Sequence, residues 1–158
     1  MKKIAKTYLS IAIVLAGMAL ASCEKVDDPF VDRVVSPVLV KIEGAAMGDY
    51  TTDPTVSYVD TLPLALGAAI YELDKSGILD HTVGIDSIPV NALAVTLSTR
   101  TGTKIADLTT DTQGKATISK TWAELGLATP KKGNSIAMQW SGTHKGQAFT
   151  RYFRVQVK

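Results

Sequence analysis

The chain of 158 residues has one cysteine and two histidines. A lone cysteine, Cys23, cannot close an intramolecular disulfide or build a zinc–cysteine site. His81 and His144 stand in no HExxH or other ligand spacing, and no GxSxG elbow occurs. Ser22 and Lys25 make an SxxK match that processing after Ser22 would split. Aromatic residues make up only 6% of the chain, too few for the girdles of a transmembrane barrel. The one strongly apolar run, Ile11–Leu20, falls short of the ~20 residues that span a bilayer core. These deficits remove thiolate chemistry and the familiar hydrolase constellations. They imply no cofactor and no metal.

What is present begins with a basic segment, Met1-Lys2-Lys3-Ile4-Ala5-Lys6, followed by that apolar run and by Leu20-Ala21-Ser22-Cys23. The order is that of a secretory signal. The last four residues resemble the lipobox of a bacterial lipoprotein precursor position by position. The resemblance implies a signal peptide over 1–22, cleavage between Ser22 and Cys23, and lipid, palmitate included, on the Cys23 thiol and its new amino group. More than one acyl chain gives stable membrane anchoring where a single chain is marginal.

Removing residues 1–22 takes away Lys2, Lys3 and Lys6, so basic residues fall from 17 to 14 against 15 acidic ones. The processed chain is near neutral and has no thiol outside the anchor. Nucleic acid is therefore not an expected partner, because phosphate binding needs a basic surface. Residues 23–35 carry Glu24, Asp27, Asp28, Asp32 and a proline without periodicity, and read as an acidic tether. The Cys-Glu-Lys-x-Asp-Asp start is similar to that of Bacteroidota-type surface lipoproteins. The location this implies is the outer membrane, on either the cell-surface or the periplasmic side.

From residue 36 to 158 the pattern has period two, the signature of half-buried strands. Val38, Val40 and Ile42 share one face; Val56 and Tyr58 open a second run, and Leu62, Leu64, Leu66, Ala68 and Ile70 form a third. Asp74-Lys75-Ser76-Gly77 reads as a turn and Val83–Val90 as an irregular strand. Leu93, Val95 and Leu97 lead through a turn at Gly102 into Ile105–Thr109, and Gly114 precedes Ala116 and Ile118. Thr121-Trp122-Ala123-Glu124 fits a capping box and predicts one short helical turn ended by Gly126. Ile136, Met138 and Trp140 alternate, a loop covers Gly142–Gln147, and Phe149, Phe153, Val155 and Val157 finish the chain. Val95, Leu97, Ile136, Met138, Trp140, Phe153 and Val155 are the expected core.

The expected fold is an all-β, antiparallel, immunoglobulin-like β-sandwich of seven or eight strands with that single helical turn; a closed barrel is the alternative. Thr109-Thr110-Asp111-Thr112-Gln113-Gly114-Lys115-Ala116 is similar to a segment found in bacterial immunoglobulin-like and transthyretin-like modules. Such sandwiches host unrelated functions, so the resemblance bears on fold alone.

Candidate ligand contacts are few. Trp122, on the short turn, and Tyr152, on the face opposite Phe149 and Phe153, could stack on sugar rings. His144 falls in a predicted solvated loop. Asp74 and Asp80 lack the alternating oxygens of an EF-hand. Charge is uneven along the chain: eight acids against Lys75 between Glu43 and Asp86, then ten bases against Asp107, Asp111 and Glu124 from Ser98 onward. The two halves either interleave and pair their charges or present opposed acidic and basic surfaces. The expected function is that of a non-catalytic envelope lipoprotein, a protein-binding or assembly module held to the membrane through Cys23. The alternative resembles the glycan-binding accessory lipoproteins of polysaccharide-utilisation systems. An exposed aromatic platform would favour the glycan reading, and an unpaired hydrophobic edge strand or patch the protein-binding one.

Overall fold

The period-two runs become nine strands among the described residues: β1 (Leu39–Ile42), β2 (Thr55–Tyr58), β3 (Leu64–Asp74), β4 (Asp86–Pro89), β5 (Ala94–Thr99), β6 (Lys104–Thr109), β7 (Lys115–Lys120), β8 (Ser135–His144) and β9 (Gln147–Val157). The computed structural model describes residues 36–45 and 53–158. They belong to one unit, Val35–Lys158. The signal peptide, Ser22, Cys23 and the tether over 23–35 lie outside the described residues.

Two sheets face each other. In the first, β3 is central: β1 pairs with it antiparallel on one edge, while β7 and β4 pair with it in tandem along the other. The second runs β2-β9-β8-β5-β6. Its members pair antiparallel except β2, which runs parallel to β9 from Thr55↔Arg154 to Tyr58↔Val157. The inner faces supply the core: Leu64, Leu66, Ala68 and Ile70 from β3 meet Val95, Leu97, Met138, Trp140, Phe153 and Val155 from the other sheet. Such facing rows are what a pleat of period two produces when one side of each sheet must leave water. Ile136 is only partly buried and packs at the margin of this core.

The segment around Gly114 joins the tandem strands. Thr110 Oγ1 donates to the Val90 carbonyl (2.6 Å) and accepts from Leu93 N–H (2.9 Å). Asp111 Oδ1 accepts from the backbone N–H groups of Gln113 (2.8 Å) and Lys115 (2.9 Å), which closes the turn before β7. Thr110, buried at 3% exposure, therefore does the anchoring, and its neighbour Thr109 is exposed.

The all-β sandwich is the expected fold, with differences of detail. Nine strands form where seven or eight were expected, and β2 adds a parallel pairing to an otherwise antiparallel sandwich. The capping box forms: Glu124 Oε2 accepts from Thr121 N–H (2.7 Å) and Glu124 N–H reaches Thr121 Oγ1 (3.3 Å). Gly126, with φ of 90°, ends the segment after one turn, too soon for a helix. The third run starts at Leu64, not Leu62, because Pro63 has no N–H for the ladder; Leu62 is 61% exposed.

The strand expected over Val83–Val90 is reduced to Asp86–Pro89. Asp74 Oδ1 accepts from Ser76 N–H (2.8 Å), and Asp80 Oδ1 from Thr82 N–H (2.9 Å) and Oγ1 (2.7 Å). These local bonds compete with the ladder and turn residues 75–85 into a folded connection instead of a tight hairpin. The loop expected over Gly142–Gln147 shrinks to Lys145 and Gly146, whose φ values of 49° and 79° make the two-residue turn that matches strand twist.

Candidate functional site

The sandwich has two distinct ends, set by the direction of β3. Its first residue, Leu64, pairs with Lys120 near the Thr121–Gly126 turn, and its last, Asp74, pairs with Asp86 at the start of β4. Eleven strand residues separate the ends by about 35 Å.

At the Asp74 end, Glu72 ties the two sheets together. Its carboxylate accepts from Lys145 Nζ, on the β8–β9 turn, and lies 3.3 Å from His144 Nε2. The Lys145 bond, then the His144 bond, hold the Glu72 carboxyl below its usual range. His144 thus sits at the end of a strand against a carboxylate, not in a solvated loop.

Beside this clamp the connection over 75–85 is ordered by its own turns: Ile78 N–H to Lys75 O (3.1 Å), Asp80 N–H to Gly77 O (2.9 Å) and Gly84 N–H to Asp80 O (2.8 Å). A side chain at Gly77 would collide with Val83, so the connection is folded tightly on itself. Its aliphatic residues nonetheless face water: Ile78 is 55% exposed, Leu79 99%, Val83 67% and Ile85 47%, and Ile88 on β4 is 47% exposed. Isolated exposed aliphatics are ordinary; a group of them on one short connection is less so. Sequence reasoning placed a turn at Asp74–Gly77 and an irregular strand at Val83–Val90, and gave Ile78 and Leu79 no element. The available signal was the mixture itself, aliphatics interleaved with Asp and Gly where turn chemistry alone would keep the segment polar.

The opposite end holds the Thr121–Gly126 turn. Trp122, a candidate sugar contact from sequence, is 3% exposed and donates its indole N–H to the Val59 carbonyl at 3.0 Å. It closes the end of the core, so stacking on a ligand is excluded by burial. Tyr152 is 38% exposed on the outer face, with the Arg100 guanidinium 4.3 Å from its ring centroid. Arg100 is held there by a 2.7 Å ion pair with Asp53. One face of the ring is therefore occupied by a cation.

The charges pair in part. Glu43 with Lys115, Asp53 with Arg100, and Glu72 with Lys145 join the acidic half to the basic half. Six others separate. Asp74, Asp80 and Asp86 lie on the aliphatic connection, and Lys131, Lys132 and Lys158 lie at the far end, where Gly133 N–H reaches Val157 O (2.9 Å) and Lys158 N–H reaches Tyr58 O (3.0 Å). Among the described residues none of these six forms an ion pair. No group of three or more His, Cys, Asp and Glu side chains among the described residues is placed to hold a metal ion.

Fold and site together define a two-sheet β-sandwich with one aliphatic–acidic end and one basic end. No protein-family model, curated protein or solved structure matches the chain.

Proposed function

We propose that the protein is a non-catalytic envelope lipoprotein, held at the outer membrane through lipid on Cys23, whose sandwich is a protein-binding or assembly module. The observation that carries the binding part is the set Ile78, Leu79, Val83, Ile85 and Ile88, exposed on a connection that its own hydrogen bonds hold in place. Ordering such a segment while leaving aliphatic area in water is unfavourable unless a partner covers it. The glycan-binding alternative loses its support, since Trp122 is buried and Tyr152 lies under Arg100.

The test is site-specific photo-crosslinking in cells producing the full chain. A photoreactive residue at Leu79 should give a discrete crosslinked protein band, and one at Thr150, on the outer face of β9, should not. Equal crosslinking at both positions, or none at Leu79, would count against the reading. Turnover of a hydrolase substrate by the purified protein, abolished by changing one carboxylate, would count against its non-catalytic part.

A further inference from the structure

The two ends of the sandwich differ in a complementary way. The connection between β3 and β4 carries Asp74, Asp80 and Asp86 against Lys75, together with its exposed aliphatics. The far end carries Lys131, Lys132 and Lys158 against Asp60, all exposed, together with Leu62 at 61% exposure. Among the described residues Leu62 is the one large aliphatic exposed at that end, and five of the other exposed large hydrophobics lie on residues 78–88. Three carboxylates and a group of exposed aliphatics thus lie at one end of the strands, and three lysines and Leu62 at the other.

We propose that the domain associates head to tail with a second copy of itself, the aliphatic–acidic end of one copy docking on the basic end formed by Leu62, Lys131, Lys132 and Lys158 of the next. This deepens the binding-module reading and rests on it. A symmetric contact between two aliphatic–acidic ends would bring six carboxylates together and is opposed by like charge. A contact between opposite ends pairs acid with base and covers aliphatic surface on both sides. Because the joined patches differ, each added copy exposes a fresh patch of the kind just used, so assembly proceeds to short chains and does not stop at a dimer. The acids are pre-positioned: Asp74 and Asp80 are pinned by their bonds to Ser76 and Thr82, and Asp86 by Ser87 N–H (2.8 Å). Little further side-chain freedom is lost when a lysine approaches them.

The test uses the chain from Glu24 onward, which contains the whole buried core between Val38 and Val157. Sedimentation velocity of the wild type should show species larger than a dimer as concentration rises, and these should recede as salt screens the charge pairs. Two blocked forms are then made at exposed positions, Leu79→Asp with Ile85→Asp at one end and Lys131→Glu with Lys132→Glu at the other, each checked for a native circular-dichroism spectrum. Each alone should associate at least about tenfold more weakly. An equimolar mixture should form a dimer and nothing larger, because each form retains one intact end. A monomeric wild type at millimolar concentration, a wild-type assembly that stops at a dimer, or a mixture that stays monomeric would overturn the proposal. A monomeric wild type that still crosslinks to a different protein through Leu79 would leave the binding-module reading intact.

Discussion

Ile70 and Gly114 share a backbone contact that holds the first sheet together. Ile70 N–H donates to the Gly114 carbonyl at 2.8 Å, and the Ile70 carbonyl accepts from Val90 N–H at 3.0 Å. One residue of β3 thus bonds to the residue just before β7 and to the residue just after β4 on the same edge. Gly114 sits in the joint with φ of 74°, and a Cβ there would overlap the Ile70 carbonyl oxygen and come 3.1 Å from Val90 N.

Gly114→Ala should therefore cost on the order of 3 kcal/mol, combining backbone strain with a collision against main-chain atoms that cannot rotate away. Gly102→Ala is the control. Its φ of 98° is also left-handed, but no atom lies within 4 Å of the added carbon, so only strain of roughly 1–2 kcal/mol is expected. Urea unfolding of both variants gives the comparison. Equal losses would show that the close approach to Ile70 does not matter.

Trp140 is fully buried, and among the described residues its indole N–H finds no partner. Trp140→Ala should lose about 3–5 kcal/mol through the cavity it opens. Trp140→Phe removes the unsatisfied donor along with some volume, and those effects oppose each other, so its cost should stay under about 2 kcal/mol. Chemical denaturation separates the two. A phenylalanine variant as unstable as the alanine one would mean that the indole N–H is satisfied in solution.

Glu124 is the acid-sensitive element of the Thr121–Gly126 turn. The Thr121 backbone N–H, then Lys120 and the Thr121 hydroxyl, bring its carboxyl from 4.5 down to about 2. A depressed folded-state value means that the stabilisation is complete above pH 4.5 and is lost as pH falls from there towards 2. Melting temperature measured across this window should fall more steeply for the wild type than for Glu124→Gln. Glu72, depressed in the same direction by Lys145 and His144, adds to the loss on acidification. Parallel curves for wild type and Glu124→Gln would remove the capping role.

Cys23 governs anchoring in the proposed function. Cells fed radiolabelled fatty acid should label the wild-type chain and leave Cys23→Ala unlabelled, with the variant also recovered in the soluble fraction. Equal labelling would end the lipoprotein reading.

Local rules already specify much of this architecture. Alternation in Val95–Leu97 and Met138–Trp140 assigned faces correctly, because the pleat sends successive side chains to opposite sides whatever the partner strand. Thr121 and Glu124 announced their own reciprocal bonds, since a capping box closes within four residues. Gly102 and Gly114 marked turns for the same local reason. The resemblance of residues 1–23 to a signal peptide with a lipobox rests on the sequence alone, and the described residues do not reach it.

Contacts between distant residues lay outside those rules. Nothing within Thr55–Tyr58 says that it pairs parallel with Arg154–Val157, because a four-residue run specifies neither its partner nor its direction. Trp122 looked available on its short turn until the Val59 carbonyl, 63 residues away, accepted its N–H. Glu43 found Lys115 across β3 within the first sheet, Asp53 found Arg100 beside the second, and Glu72 found Lys145 across the two sheets, pairings that strand order alone decides. The exposure of Ile78, Leu79, Val83 and Ile85 was a tertiary decision too. The core between the sheets is built by β3 and its facing strands without them, and the Asx bonds of Asp74 and Asp80 fold the connection on itself outside that core.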